Sequence, residues 1–142
     1  MSLVIDASLT MTWYFEDEAT SATEELLDVV ARTGAVVPPL WRLEVANGFQ
    51  SGIRRRRIDV AYRDASMADL KQMPITIDPD TDAHIWTTAL SLSDRYGLTI
   101  YDACYLELAQ RRNLPLATLD LELRAAGQAL GLLLPSVINL PK

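Results

Sequence analysis

Four apolar runs, each about three residues long, constrain this chain more than any other feature: Leu3-Val4-Ile5, Ala35-Val36-Val37, Ile75-Thr76-Ile77 and Leu116-Ala117-Thr118. Runs this short and this rich in β-branched residues fit strands buried inside a parallel sheet, and they are too brief to be helices. The stretches between them carry apolar residues at helical spacing. Thr20 to Arg32 places Ala22, Leu26, Leu27, Val30 and Ala31 on one side, has acids near its start, and stops at Gly34. Pro38 and Pro39 break the second run and open a helix carrying Trp41, Val45, Phe49 and Ile53, closed by Arg54 to Arg57. Val60 to Met73 folds back on it as a helical hairpin, and Pro74 stops it. Further helices are expected from Thr81 to about Tyr96, ended by Gly97, from Thr99 to Arg112, and from Asp120 to Leu130. After the first run, Ser8 is placed to cap a helix through Met11, Trp13 and Tyr14. A last edge strand is expected at Gly131 to Leu134 or Val137 to Leu140.

Strands alternating with helices in this way imply an α/β fold: a central parallel sheet of four or five short strands with helices on both faces and right-handed crossovers. A chain of 142 residues supports one core, so residues 1–142 are expected to be a single domain. The start Met-Ser-Leu-Val-Ile-Asp has no basic leader, and no apolar run is long enough to cross a bilayer, so a cytoplasmic location without membrane contact is expected.

What the chain lacks narrows its chemistry. His84 is the only histidine and Cys104 the only cysteine, which excludes two-histidine RNA cleavage, an internal disulfide and a zinc site built on cysteines. The six glycines form neither G-x-G-x-x-G nor a P-loop, and no G-x-S-x-G elbow occurs. Carboxylates remain.

Chemistry in a parallel sheet gathers at the carboxyl ends of its strands. Asp6 and Asp120 each follow a strand, while Glu44 and Asp102 are expected in the first turns of helices, so four acids distant in sequence can face one edge. Each has a plain structural alternative. Asp6 suits a turn, Asp120 an N-cap, Thr99 with Asp102 a capping box, and Glu44 a solvated helix face. Together they are harder to explain so, because Asp6 ends an apolar strand and Asp102 sits among Ile100, Tyr101, Ala103 and Tyr105. Two carboxylates about 4 Å apart repel by roughly 4 kcal/mol at an effective dielectric near 20. A divalent cation relieves this, and all-oxygen ligands favour Mg²⁺ or Mn²⁺, ions normally shared with phosphate oxygens. A phosphate ester attacked by an activated water is the chemistry such a set suits.

The segments Val4-Ile5-Asp6-Ala7-Ser8, Leu43-Glu44-Val45-Ala46-Asn47, Tyr101-Asp102-Ala103-Cys104-Tyr105-Leu106 with Ala109, and Ala117-Thr118-Leu119-Asp120 resemble, in order, the four acidic motifs of PIN-domain VapC toxins. The likeness spans almost the whole chain. It implies a PIN-like fold and a Mg²⁺- or Mn²⁺-dependent endoribonuclease, usually a homodimer, held inactive by a VapB-type antitoxin of a type II toxin-antitoxin system. It makes Asp6, Glu44 and Asp102 the central metal-binding acids and Asp120 a fourth, with Ser8, Thr118 and Asn47 in support. A PIN nuclease for RNA processing, or an inactive PIN module used only for binding, remains open. A receiver domain would need paired acids after the first strand and a late lysine, and a haloacid-dehalogenase-like phosphatase an acid at position 8; Ala7 and Ser8 stand there, and no lysine lies between 72 and 141.

The net charge of −6 opposes indiscriminate RNA binding, since phosphate contacts need Lys or Arg. Arg54, Arg55, Arg56 and Arg57 form a basic run that can guide RNA or simply solvate a helix end, and Arg111 and Arg112 suit a helix C-terminus. Trp13, Tyr14 and Phe15 cannot all face inward from one helix, so at least one ring is expected on the surface, available to a partner helix or second subunit.

Overall fold

The structure, a computed structural model, describes residues 2–134. Leu3–Ile5 (β1), Ala35–Val37 (β2), Ile75–Ile77 (β3) and Leu116–Ala117 (β4) form one parallel sheet in the order β3-β2-β1-β4. The two central strands are wholly buried, whereas edge strand β3 leaves Thr76 exposed. Burial on both faces is what removes polar alternation from Leu3-Val4-Ile5 and Ala35-Val36-Val37.

The connections are helical. Ala7–Thr12 (α1) and Ser21–Thr33 (α2) lead from β1 to β2, and Leu40–Arg54 (α3) and Val60–Lys71 (α4) lead from β2 to β3. Leu90–Tyr96 (α5) and Ile100–Arg112 (α6) lead back to β4, which Leu121–Ala129 (α7) follows. The chain steps outward from β1 to β3 and then returns to the other side of β1. Right-handed crossovers in opposite directions cover opposite faces of the sheet, and the reversal between β1 and β4 opens a crevice at their carboxyl ends.

Helix α6 runs through the centre, with every residue from Ala103 to Ala109 buried. One of them is Glu107. Its charge is met by Arg111 Nε at 2.7 Å, and Arg111 Nη2 reaches Asp78 Oδ2 at 2.6 Å, while Thr81 donates to the same Asp78 oxygen at 2.6 Å. Burial works against the Asp78 charge, but the Arg111 and Thr81 hydrogen bonds outweigh it and hold the carboxyl below its ordinary range. Arg111 therefore ties α6 to the end of the edge strand, a role beyond complementing its own helix dipole.

Several elements differ from expectation. Helix α1 ends at Thr12, and its N-cap is Asp6, whose carboxylate accepts the Leu9 N–H at 3.1 Å; Ser8 lies inside the first turn. Because the chain leaves the helix at Trp13, Tyr14 and Phe15 turn into the core and Trp13 packs against it, so none of the three rings is exposed. Gly52 makes room for this: a Cβ there would stand 2.8 Å from the Phe15 ring. The expected helix from Thr81 to Tyr96 is instead a 3₁₀ turn, a π turn over Ile85–Ala89, and α5. Its ends are pinned, by Asp78 to Thr81 and by Gly97 in the left-handed region at φ 64°, and the wider π turn absorbs the mismatch. It also leaves Trp86 and Leu90 in solvent. Leu133 pairs with Leu116 as a single parallel bridge, which is what forms of the expected strand at Gly131 to Leu134; Val137 to Leu140 lies outside the described residues.

Candidate active site

At the β1–β4 crevice, Ile5 lies opposite Ala117, so Asp6 and Thr118 are the next residues of the two strands. The Asp6 N–H donates to the Ala117 carbonyl at 3.3 Å, and the buried Thr118 hydroxyl donates to Asp6 Oδ2. Ser8 Oγ donates to Asp6 Oδ1 at 2.8 Å and accepts the Leu119 N–H at 3.2 Å. Thr118 Oγ1 accepts the Asp120 N–H at 3.0 Å, and the Asp120 carboxylate caps α7 through Leu123 at 2.9 Å. Capping and site geometry thus coincide, since the bonds that start α1 and α7 also fix the directions of Asp6 and Asp120.

Asp102 sits in the first turn of α6. Thr99 caps that helix by accepting the Asp102 N–H at 3.1 Å, but the reciprocal bond from the Asp102 carboxylate to the Thr99 N–H is not made, so this is half a capping box. Glu44 stands in the second turn of α3 rather than the first. The hydroxyl of Tyr105, one turn past Asp102, donates to Glu44 Oε1 at 2.6 Å. Trp41 Nε1 donates to Thr10 Oγ1 at 3.0 Å, and that hydroxyl donates to the Asp6 carbonyl at 2.9 Å, which sets the start of α3 against the end of β1.

These acids feel one another. Burial first, then the charges of Asp120, Glu44 and Glu122, push Asp102 up to about 6. Burial also pushes Asp6 up to about 6, helped by the Asp102 charge and opposed by the bonds from Thr118, Leu9 and Ser8. Burial, the Glu44 bond and the charges of Glu44, Asp6 and Asp102 raise the Tyr105 hydroxyl well above its ordinary range. Leaving Arg124 aside, no Arg, Lys or His among the described residues lies at ion-pair distance from Asp6, Glu44, Asp102, Asp120 or Glu122. The result is a set of mutually repelling carboxylates.

Donor chemistry suits a hard divalent cation, for every available side-chain ligand is oxygen. Also among the described residues, no three acid, histidine or cysteine side chains form a ready-made ligand cage.

The remaining predicted residues lie apart. Asn47 is exposed and makes no side-chain hydrogen bond to Glu44. Arg54 to Arg57 stand at the far end of α3, about 15 Å along the axis from Glu44. Arg57 pairs with Asp17 and Glu18 at 2.7 and 2.9 Å and covers the Phe15 ring, and with Arg56 it lines a groove of about 1120 Å³ bounded by Tyr14, Asp59 and Tyr62. Sequence reasoning missed Glu122, Tyr105 and Trp41. Glu122 had a signal, as the second acid in the first turn after Asp120. Tyr105 had one too, since a tyrosine on an otherwise apolar helix needs a partner for its hydroxyl.

A parallel sheet with acids converging at its switch point is the arrangement of the PIN domain, whose family model matches residues 3–128; the chain belongs to this family. It is 27% identical over 123 residues to ribonuclease VapC3 of Pyrobaculum aerophilum, covering 87% of this chain and 92% of that one. It is 28% identical over 129 residues to ribonuclease VapC9 of Mycobacterium tuberculosis, covering 89% and 92%, and 33% identical over 99 residues to that organism's ribonuclease VapC3, covering 68% of each. The crystal structure of PAE2754 from Pyrobaculum aerophilum superimposes with a TM-score of 0.60 at 24% identity, covering 89% of this chain and 87% of that one, a likeness of fold.

Proposed function

We propose that this chain is a Mg²⁺- or Mn²⁺-dependent endoribonuclease, the toxin of a type II toxin-antitoxin pair. The observation that carries the reading is the set of mutually repelling carboxylates at the carboxyl ends of β1 and β4, on a fold shared with ribonucleases of the VapC kind. Asp6, Asp102, Glu44 and Asp120 would hold the cation, directly or through water. When bound, the ion supplies charge stabilisation at the phosphate and a more acidic water.

The chain's own residues do the positioning. Thr118 and Ser8 fix the two Asp6 oxygens, and Tyr105 keeps Glu44 turned toward α6. Asp120, held by Thr118 and its own helix cap, faces the same crevice. No side-chain nucleophile is needed: water would attack phosphorus and give a proton to solvent, and the P–O bond to ribose would break with the departing oxygen taking a proton from solvent. A VapB-type antitoxin would restrain the activity, and a homodimer is the expected assembly. No helix of the described residues is long and apolar enough to cross a membrane.

The test is cleavage of a total RNA pool by purified antitoxin-free protein with Mg²⁺, Mn²⁺ or EDTA, beside Asp102→Asn. Discrete products that need metal and vanish in the variant support the reading. Products that persist in EDTA or in Asp102→Asn contradict it.

A further inference from the structure

Three large apolar side chains stand in solvent directly beside the acids. Leu43 precedes Glu44, Tyr101 precedes Asp102 and Leu121 follows Asp120, and they are 75%, 62% and 53% exposed. Adjacent residues on a helix diverge by about 100°, so these side chains flank the carboxylates instead of covering them. Scattered exposed apolar residues need no explanation, but each of these is the chain neighbour of one of the four acids. The Tyr101 hydroxyl makes no hydrogen bond to any described residue, so nothing in the fold fixes this ring's place.

The surroundings decide what suits it. The arginine run Arg54 to Arg57 lies a helix length away, whereas the exposed Tyr101 ring is the chain neighbour of Asp102. An aromatic face stacks on any base. Resting on the nuclease reading, we propose that Tyr101 is the stacking platform for a nucleobase next to the scissile phosphate, with Leu43 and Leu121 as its apolar rim. Tyr101 is thus a positioning residue for the substrate strand. The base it receives must be unstacked, since within a helix both faces of a base are covered by its neighbours.

The test uses a 2-aminopurine-labelled oligoribonucleotide spanning a site that the wild type cleaves. Tyr101→Ala should raise KM about ten- to hundredfold, leave kcat within a few-fold, and abolish the quenching of 2-aminopurine on binding. Tyr101→Phe and Tyr101→Trp should restore both, and the melting temperature should be unchanged because the ring is exposed. Unaltered KM and quenching in Tyr101→Ala would overturn the inference, and that is the result expected if the face instead receives a protein partner. A wild type that cleaves no RNA would overturn the nuclease reading and this inference with it, an outcome distinct from cleavage indifferent to Tyr101.

Discussion

Replacing Asp6 with asparagine should make the protein more stable and stop it working. The carboxyl is 4% exposed, and its pKa rises from 3.8 to about 6. At pH 7 this corresponds to about 3 kcal/mol of folding free energy lost to keeping the group ionised. Asparagine removes that cost with little geometric change. Its oxygen can accept from Leu9 and Ser8, its amide can donate to the Thr118 hydroxyl, which has a second lone pair for Asp120, and it remains a good N-cap. Neutral bonds are weaker than the charge-assisted ones they replace, so the net gain is roughly 1–3 kcal/mol, or a melting temperature higher by about 3–10 °C. The pH dependence carries the sign. A raised carboxylate pKa means that the folded wild type binds more protons, so its stability is fully present below about 4 and falls as pH rises through about 6. The advantage of Asp6→Asn should therefore be present at pH 7.5 and shrink toward zero near pH 4, measured by thermal unfolding in EDTA. A destabilised variant, or an equal gain at both pH values, would refute the reasoning.

Arg111→Met should cost about 3 kcal/mol by urea unfolding, because it leaves buried Glu107 without its ion pair and Asp78 with Thr81 and the more distant Arg112, at 3.9 Å. Tyr105→Phe should change stability by only about 1 kcal/mol while lowering RNA cleavage roughly tenfold or more, since Glu44 loses the bond that orients it. Equal losses of folding and activity would make Tyr105 merely structural.

The strands and most helix limits were legible because their signals are local. Three-residue apolar runs, Thr99 as a cap and Gly34 and Gly97 as stops each act within a few residues. Asp6, Glu44, Asp102 and Asp120 could be named for the same reason: each stands just after a strand or near a helix start, where the fold class predicts chemistry. Contacts between distant segments were not legible. Nothing near Tyr105 announces that its hydroxyl meets Glu44, 61 residues away in the chain. Nor could the sequence show that Arg111 would answer both Glu107 and Asp78, or that α1 would end early enough for Tyr14 and Phe15 to turn inward. Thr81 to Tyr96 shows the limit of periodicity, for a π turn over Ile85–Ala89 forms inside its helical pattern.

On the proposed function, a divalent cation would relieve the burial cost and repulsion that raise Asp6 and Asp102. The most direct test is thermal unfolding during a Mn²⁺ titration at pH 7.5, with the wild type beside Asp6→Asn and Asp102→Asn. The wild type should start lowest and rise with Mn²⁺ by mass action, while both variants start higher and respond weakly. A wild type that ignores Mn²⁺, or variants that gain as much from it, would contradict the claim.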